Sequence, residues 1–176
     1  MSADIILIVG LPASGKTAVA LWLARQRSAV VVDVGNALRD YLLQFGVRCD
    51  TRASIGPTFL RQFARSTIFK VLRSRIGEDG CTVLDGLRFA ETCEQFRAFS
   101  TRVAIWSVTA APELRRRRRM TSLSQKGWLA RQIDKEWKSY GSYDAEEEKI
   151  LEMADVVVEN NGALDELYKS LQQRTF

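Results

Sequence analysis

Near its start the chain reads Gly10-Leu11-Pro12-Ala13-Ser14-Gly15-Lys16-Thr17, which fits the Walker A, or P-loop, pattern G-x-x-x-x-G-K-[ST]. The preceding residues, Ile5–Val9, are all apolar and mostly β-branched, as in a strand that is buried on both faces. The following residues, 18–25, favour a helix. The motif needs a strand, a glycine-bounded loop and a helix in this order, so we predict a phosphate-binding loop here.

The chemistry of this loop is anion binding. Its two glycines permit backbone angles and close approaches that a Cβ atom would prevent. The N–H groups of the loop can then converge on one phosphate, and the positive end of the following helix adds to the attraction. Lys16 is expected to reach the β- and γ-phosphates of ATP, and the Thr17 hydroxyl to bind Mg²⁺. We therefore predict that ATP and Mg²⁺ are held by Gly10, Ala13, Ser14, Gly15, Lys16 and Thr17.

The composition is that of an ordinary globular protein. A chain of 176 residues, 46% hydrophobic and 27% charged, predicts a single domain over residues 1–176. No apolar run approaches the roughly 20 residues that span a bilayer, and no basic segment precedes residues 5–9, so we expect neither membrane insertion nor a signal peptide. Three cysteines without a C-x-x-C pair suit a reducing, cytoplasmic location. Because the chain has no histidine, any acid–base step must use carboxylates, lysine or water.

Strand and helix patterns alternate along the rest of the chain. Further strands are predicted at Val30–Val34, Cys81–Asp85, Val103–Val108 and Asp155–Glu159. Helices are predicted over 37–45 with Asn36 as N-cap, over 58–76, 91–99, 128–140 and 145–154, and from Pro112 and Leu164. Residues 46–57 are expected to form a connection, and residues 121–126 a polar, mobile segment. This alternation predicts one α/β domain whose parallel sheet is covered on both faces.

Four polar or glycine positions follow the strands directly: Gly10, Asp33, Asp85 and Thr109. Ligands of open α/β sheets bind beyond the carboxyl ends of the strands, so we expect the site to form there. P-loop proteins place the acidic partner of Mg²⁺ where Asp85 lies, although an Asp at a strand end can also merely cap a turn. Asp33 and Asp85 both remain candidates for orienting an acceptor oxygen.

Two arginines lie just past strand ends. Arg39 follows Asp33 by six residues, and Arg88 follows Asp85 by three. A guanidinium group at these positions could hold the phosphate of an acceptor in a bidentate manner, or it could be a solvated surface group. Weaker candidates for the same pocket are Arg52, Arg61 and Arg65.

The run Arg115–Arg119 is the most prominent charge feature. Five successive helical residues point all round the helix, so they cannot all contact one ligand. The run could be a solvated helix end, a nucleic-acid-binding segment, or part of a lid whose arginines neutralise the transferring phosphoryl group. It lacks the interleaved aromatic residues of a single-strand binder, and we therefore prefer the lid, at about residues 115–143.

Taken in order, these motifs resemble the nucleoside monophosphate kinase-like group of P-loop kinases, and most of all its compact adenylate-kinase-like and dephospho-CoA-kinase-like members. The resemblance spans about residues 5–171. It rests on the P-loop, Gly35-Asn36-Ala37-Leu38-Arg39, Asp85-Gly86-Leu87-Arg88, Pro112-Glu113-Leu114 with Arg118, and Asp155–Glu159 followed by Asn160-Asn161-Gly162.

The resemblance implies a three-layer P-loop NTPase fold with a five-stranded parallel sheet in the order 2-3-1-4-5, helices on both faces and a small helical lid. It implies an acceptor-binding region at about residues 36–76. Arg39 and Arg88 match arginines that grip the acceptor phosphate, Arg118 matches the arginine before the lid, and Arg131 the one after it. The turn Asn160–Gly162, with Asn161 at its centre, matches the backbone that meets the donor base. The chain departs from the pattern at Asn36, where many relatives have Asp, and at Ile133, where an arginine is expected.

We therefore expect a kinase that uses ATP and Mg²⁺ to phosphorylate a small phosphorylated acceptor, such as a nucleoside monophosphate or a modified nucleotide. The expected catalytic residues are Lys16, Asp85, Arg88 and Arg118, and the expected substrate-binding residues are Asp33, Arg39 and Arg88. One alternative is a kinase for dephospho-CoA or a specialised metabolite. An alternative of another class is a nucleotide-dependent switch or nucleic-acid-binding NTPase. We expect no membrane or nucleic-acid partner, and either a monomer or a homodimer.

Overall fold

A computed structural model describes residues 4–138 and 144–174. Within them the strands are β1 (Asp4–Val9), β2 (Val30–Asp33), β3 (Cys81–Leu87), β4 (Val103–Thr109) and β5 (Val156–Glu159). All neighbouring strands pair in parallel, and the five strands form one sheet in the order β2-β3-β1-β4-β5. The predicted fold class and sheet order are confirmed.

Helices follow the strands along the described residues. They are α1 (Lys16–Arg27), α2 (Val34–Gln44), α3 (Arg52–Gln62), α4 (Ser66–Arg73), α5 (Ala90–Phe99), α6 (Pro112–Ser124), α7 (Ala130–Lys138), α8 (Asp144–Glu152) and α9 (Leu164–Gln172). One face of the sheet packs against α2–α5 and α8, and the other face against α1 and α9. This gives the three layers that the sequence predicts.

The central strand β1 shows why its sequence is apolar throughout. Ile5, Leu7 and Val9 lie in the core cluster on the α2–α5 face, whereas Ile6 and Ile8 lie in the cluster on the α1 and α9 face. All of them are buried. Because successive side chains of a strand point to opposite faces, a strand covered on both sides needs apolar residues at every position.

The predicted start of α2 is wrong by three residues. Its N-cap is Asp33 and not Asn36, because an Asp33 carboxylate oxygen (Oδ1) accepts a hydrogen bond of 2.8 Å from the backbone N–H of Asn36. A carboxylate at the N-cap satisfies one of the N–H groups that a helix leaves open at its start. Val34, which we assigned to the strand, is therefore the first residue of the helix.

The single helix predicted over residues 58–76 is also wrong. The chain forms α3 and α4 instead, separated at Phe63, whose φ of −135° and ψ of 149° are extended. The earlier part of α3 lies in the region 46–57 that we assigned to a connection. Thr51 starts the helix there, since its hydroxyl accepts a hydrogen bond of 3.2 Å from the N–H of Ser54.

The region predicted as a lid contains most of α6 and all of α7. The helix α6 continues to Ser124, so the segment 121–126, predicted as mobile, is mostly helical. Residues 139–143 of the predicted lid, including the end of the helix predicted over 128–140, lie outside the described residues. None of the helices within the described parts of the chain is long and apolar enough to cross a bilayer.

We predict that the cysteines differ in reactivity. Cys93 is fully buried in the core, and burial raises the pKa of its thiol to about 12, whereas Cys49 is half-buried. The thiolate is the reactive form, so Cys93 should resist iodoacetamide in the native protein while Cys49 reacts. Peptide mass spectrometry after timed labelling measures both, and labelling in guanidinium chloride provides the control. Equal native labelling rates at the two cysteines would contradict the buried position of Cys93.

Candidate active site

A cleft with a volume of about 350 Å³ opens at the carboxyl edge of the sheet. On one side it is lined by the P-loop, including Lys16 and Thr17. On the other side it is lined by residues of α2, α3 and α4. Asp33 and Asp85 lie between these two sides, at paired positions of β2 and β3. The cleft therefore has two halves that meet at the ends of neighbouring strands.

The P-loop has the backbone that its sequence predicts. Gly10 and Gly15 have φ angles of 132° and 102°, in the region that favours glycine. A Cβ atom on Gly10 would overlap the backbone oxygen of Val108 in β4, and one on Gly15 would overlap the side-chain amide of Asn160. Both glycines are therefore required by a close neighbour as well as by their φ angles.

Several features of the loop favour an anion. The helix α1 begins at Lys16 and has no acidic residue in its first turn that would oppose the positive end of its dipole. Ser14 is fully buried, and its hydroxyl has no hydrogen-bond partner among the described residues. Buried hydroxyls are normally hydrogen-bonded, so a phosphate oxygen would complete this one.

Thr17 and Asp85 meet where the sequence predicts a magnesium site. The Thr17 hydroxyl (Oγ1) donates a hydrogen bond of 2.7 Å to Oδ2 of Asp85, which is only 3% exposed. Hydroxyl and carboxylate oxygens are ligands that Mg²⁺ accepts, and Mg²⁺ commonly takes its other ligands from phosphates and water. Within the described parts of the chain, no group of three or more His, Cys, Asp or Glu side chains could hold a metal. These two residues fit an ion that is shared with a nucleotide.

Lys16 lies across its own loop. Its ammonium group donates a hydrogen bond of 2.8 Å to the backbone oxygen of Leu11, and the residue lines the cleft. An ammonium group has three donors, so phosphate oxygens could replace or supplement this carbonyl.

The half of the cleft lined by α2–α4, where the acceptor is predicted to bind, brings together only some of the predicted residues. Asp33 and Arg88 line the cleft together with the apolar residues Val34, Leu38 and Ile55. Arg39 does not line it: this residue is exposed, and its guanidinium group donates a hydrogen bond of 3.0 Å to the side-chain oxygen of Asn36. Arg61 is exposed as well, whereas Arg65 forms an ion pair of 3.0 Å with Glu146.

The arginine run is distributed around α6 in several directions. Arg115 donates to the backbone oxygen of Ala110, and Arg116 forms an ion pair with Asp134 of α7. Arg118 contacts the turn after β5, where its guanidinium group donates to the backbone oxygens of Asn160 and Gly162 and to Oδ1 of Asn160.

The arginine of this run that lines the cleft is Arg119, which the sequence prediction missed in favour of Arg118. Successive helical residues are rotated by about 100°, so the direction of each arginine depends on how the helix packs. The sequence alone does not determine which of the five neighbouring arginines faces the cleft. Arg131 is exposed on α7.

In the turn after β5, the neighbouring residues Asn160 and Asn161 make different contacts. The side-chain oxygen of Asn161 accepts a hydrogen bond of 2.8 Å from the N–H of Ala111. Asn160 is 6% exposed, and its amide nitrogen donates a hydrogen bond of 2.7 Å to the backbone oxygen of Ser14 in the P-loop. The sequence prediction selected Asn161 and gave Asn160 no role of its own, although a polar residue directly after a buried strand at this edge is the signal that could have found it.

Comparisons with known proteins agree with this architecture. No protein-family model matches the chain. The chain is 26% identical over 165 residues to a UPF0200 protein of Aeropyrum pernix, which covers 93% of this chain and 87% of that protein.

Among solved structures, the chain is similar to TT1252 from Thermus thermophilus, with a TM-score of 0.60 and 23% identity over 98% of this chain and 96% of that one. It is also similar to shikimate kinase from Acinetobacter baumannii in complex with shikimate, with a TM-score of 0.62 and 19% identity over 97% and 92% of the two chains. Shikimate kinase from Aquifex aeolicus gives a TM-score of 0.58 and 19% identity over 96% and 94%. The chain therefore has the compact P-loop kinase fold that its sequence resemblance implies.

Proposed function

We propose that the protein transfers the γ-phosphoryl group of ATP, with Mg²⁺, to a small phosphorylated acceptor such as a nucleoside monophosphate or a modified nucleotide. The observation that carries this proposal is the hydrogen bond between Thr17 and Asp85 beside the P-loop, in a cleft with a second, separately lined half. A protein that only held a nucleotide would need the first half alone. The second half supplies the space for an acceptor.

The residues of the donor half can act by positioning the phosphates and by neutralising their negative charge. The N–H groups of the loop would bind phosphate oxygens and Lys16 would add a positive charge, and Arg119 lines the same cleft. Bound Mg²⁺ would supply positive charge against the negative charge that develops during transfer. Thr17 and Asp85 would hold it. Phosphoryl transfer needs little covalent chemistry from the protein, which is consistent with a chain that lacks histidine.

The acceptor half contains a carboxylate and an arginine. Asp85 is bonded to Thr17 at the proposed ion site, whereas Asp33 caps α2, whose residues line the acceptor half, so we assign Asp33 to orient an acceptor oxygen. Arg88 lines the same half and would hold an anionic group of the acceptor. The similar shikimate kinases are named for a small acceptor, and this supports a small acceptor here.

One observation favours a second candidate for the acceptor. A carboxylate beside the acceptor position accepts the proton of a hydroxyl group but repels a phosphate anion. Arg39, which would help to hold a reacting phosphate, is exposed outside the cleft. The second candidate is therefore an acceptor that presents a hydroxyl group, such as dephospho-CoA or a specialised metabolite.

The distribution of the arginine run argues against the alternative of a nucleic-acid-binding NTPase. Binding to a phosphate backbone needs cations on a shared surface. Here Arg116 pairs with Asp134, Arg118 is bonded to the turn after β5, and Arg119 lines the cleft. The arginines of the run are therefore better placed to act at the cleft and between the surrounding helices than to bind an external polyanion.

Replacing Lys16 by alanine should reduce kcat at least 100-fold, because the ammonium group neutralises charge on the transferring phosphoryl group. The estimate follows the loss of roughly 3 kcal/mol seen when one transition-state donor is removed. ADP formation from ATP with a panel of acceptors measures it. Lys169→Ala, on the exposed side of α9, is the matched control and should retain wild-type turnover. Wild-type turnover in Lys16→Ala would disprove the donor site.

Asp33→Asn should distinguish the two kinds of acceptor. Asparagine caps helices about as well as aspartate, so α2 should keep its start while the base is lost. With a hydroxyl acceptor, turnover should fall on the order of 100-fold or more. With a phosphate acceptor, it should change little.

The experiment measures ADP formation with AMP, CMP, UMP and GMP on one side and dephospho-CoA and shikimate on the other. ³¹P NMR of the product then separates a phosphomonoester from a diphosphate. A diphosphate product whose formation is insensitive to Asp33→Asn would reject the hydroxyl acceptor. Absence of turnover with every acceptor class and every nucleotide donor would reject the kinase.

A further inference from the structure

Asn160 connects three parts of the structure through one side chain. Its amide nitrogen donates to the backbone oxygen of Ser14, at 2.7 Å, and its amide oxygen accepts from Arg118 of α6, at 3.2 Å. The backbone N–H of Asn160 donates to the oxygen of Thr109, at 2.8 Å, which fixes the residue to the end of β4. Both polar atoms of a buried amide are thus hydrogen-bonded, one to the P-loop and one to Arg118 of α6.

The bond to Ser14 sets the direction of one peptide group of the loop. In a trans peptide the C=O and the following N–H point in opposite directions. Asn160 holds the C=O of Ser14 on the side of β5, so the N–H of Gly15 in the same peptide group must point away from β5. Gly15 is the residue directly before α1, where the loop N–H groups are expected to surround a phosphate.

Close packing supports a specific fit between Gly15 and Asn160. A Cβ atom on Gly15 would overlap the amide nitrogen of Asn160, so the space beside this glycine is filled by that side chain. Arg118 in turn fixes the amide through bonds to the side chain and backbone oxygens of Asn160 and to the oxygen of Gly162. A network in which both polar atoms of a buried amide are hydrogen-bonded favours one arrangement.

We propose that Asn160 is a positioning residue that orients the Ser14–Gly15 peptide group for binding the donor phosphates, and that Arg118 holds it in place. This inference rests on the proposed function, because it assigns a task at the proposed donor site. It also gives Arg118 a role as a support of the loop. Asn160 acts on phosphate binding through the loop and need not touch the nucleotide base.

Two substitutions test this role from different directions. Asn160→Leu has a similar shape, carries no charge, and removes the donor to Ser14. Asn160→Asp also removes that donor but keeps an acceptor for Arg118, so it should retain more stability. Isothermal titration calorimetry with MgATP and with magnesium tripolyphosphate measures binding, and thermal unfolding measures stability.

We expect both variants to bind both ligands at least tenfold more weakly than the wild type, since the two ligands share the phosphates. The matched control is Asp155→Ala, at the other end of β5, where Asp155 bonds Arg97 and the N–H of Ile105. This control should lower the unfolding temperature and leave both affinities unchanged. If both variants lose affinity to the same extent, the loss is due to the missing donor. Added charge is excluded because Asn160→Leu carries none, and incomplete folding is excluded because Asn160→Asp keeps the acceptor for Arg118.

Three outcomes would overturn part of the account, and they can be told apart. Wild-type affinity for tripolyphosphate in either folded variant would overturn the positioning role of Asn160. A loss with MgATP but not with tripolyphosphate would do so as well, because it would assign Asn160 to the base and not to the loop. If the wild-type protein itself bound neither ligand, the proposed function would fail and not only this inference.

Discussion

The position of β1 between β3 and β4 is the constraint on which the site depends. The P-loop leaves the carboxyl end of this central strand, so its neighbours on either side are the ends of β3 and β4. On the β3 side, Thr17 of the following helix can reach Asp85. On the β4 side, the loop passes so close to the oxygen of Val108 that only glycine fits at position 10. The same sheet order therefore supplies both the carboxylate of the site and the tight backbone of the loop.

Those parts of the fold that follow from local pattern could be predicted from the sequence. The continuous apolar runs identify strands buried on both faces, and residues 10–17 identify the loop, because both signals are complete within a few neighbouring residues. The sheet order came from the resemblance to a family. The meeting of Thr17 and Asp85 then follows from geometry, since parallel strands end at one edge of the sheet.

Features that depend on packing could not be predicted. The division between α3 and α4 at Phe63 has no proline or glycine to mark it, and the aromatic cluster of Tyr41, Phe45, Phe59 and Phe63 that surrounds it forms only in the folded chain. The direction of each residue in the arginine run depends on the phase at which α6 packs. The contact between Asn160 and Ser14 joins residues 146 positions apart, beyond any local pattern.

We propose that the cleft combines a donor half, held by the sheet and by Asn160, with an acceptor half built on α2–α4. The most direct test of this arrangement is a crystal structure of the protein with Mg²⁺ and a non-hydrolysable ATP analogue. We predict that the triphosphate lies over the start of α1, that the Lys16 ammonium group bonds phosphate oxygens, and that Thr17 and Asp85 flank the ion. A nucleotide bound away from this loop, with Lys16 still bonded only within its own loop, would contradict the account.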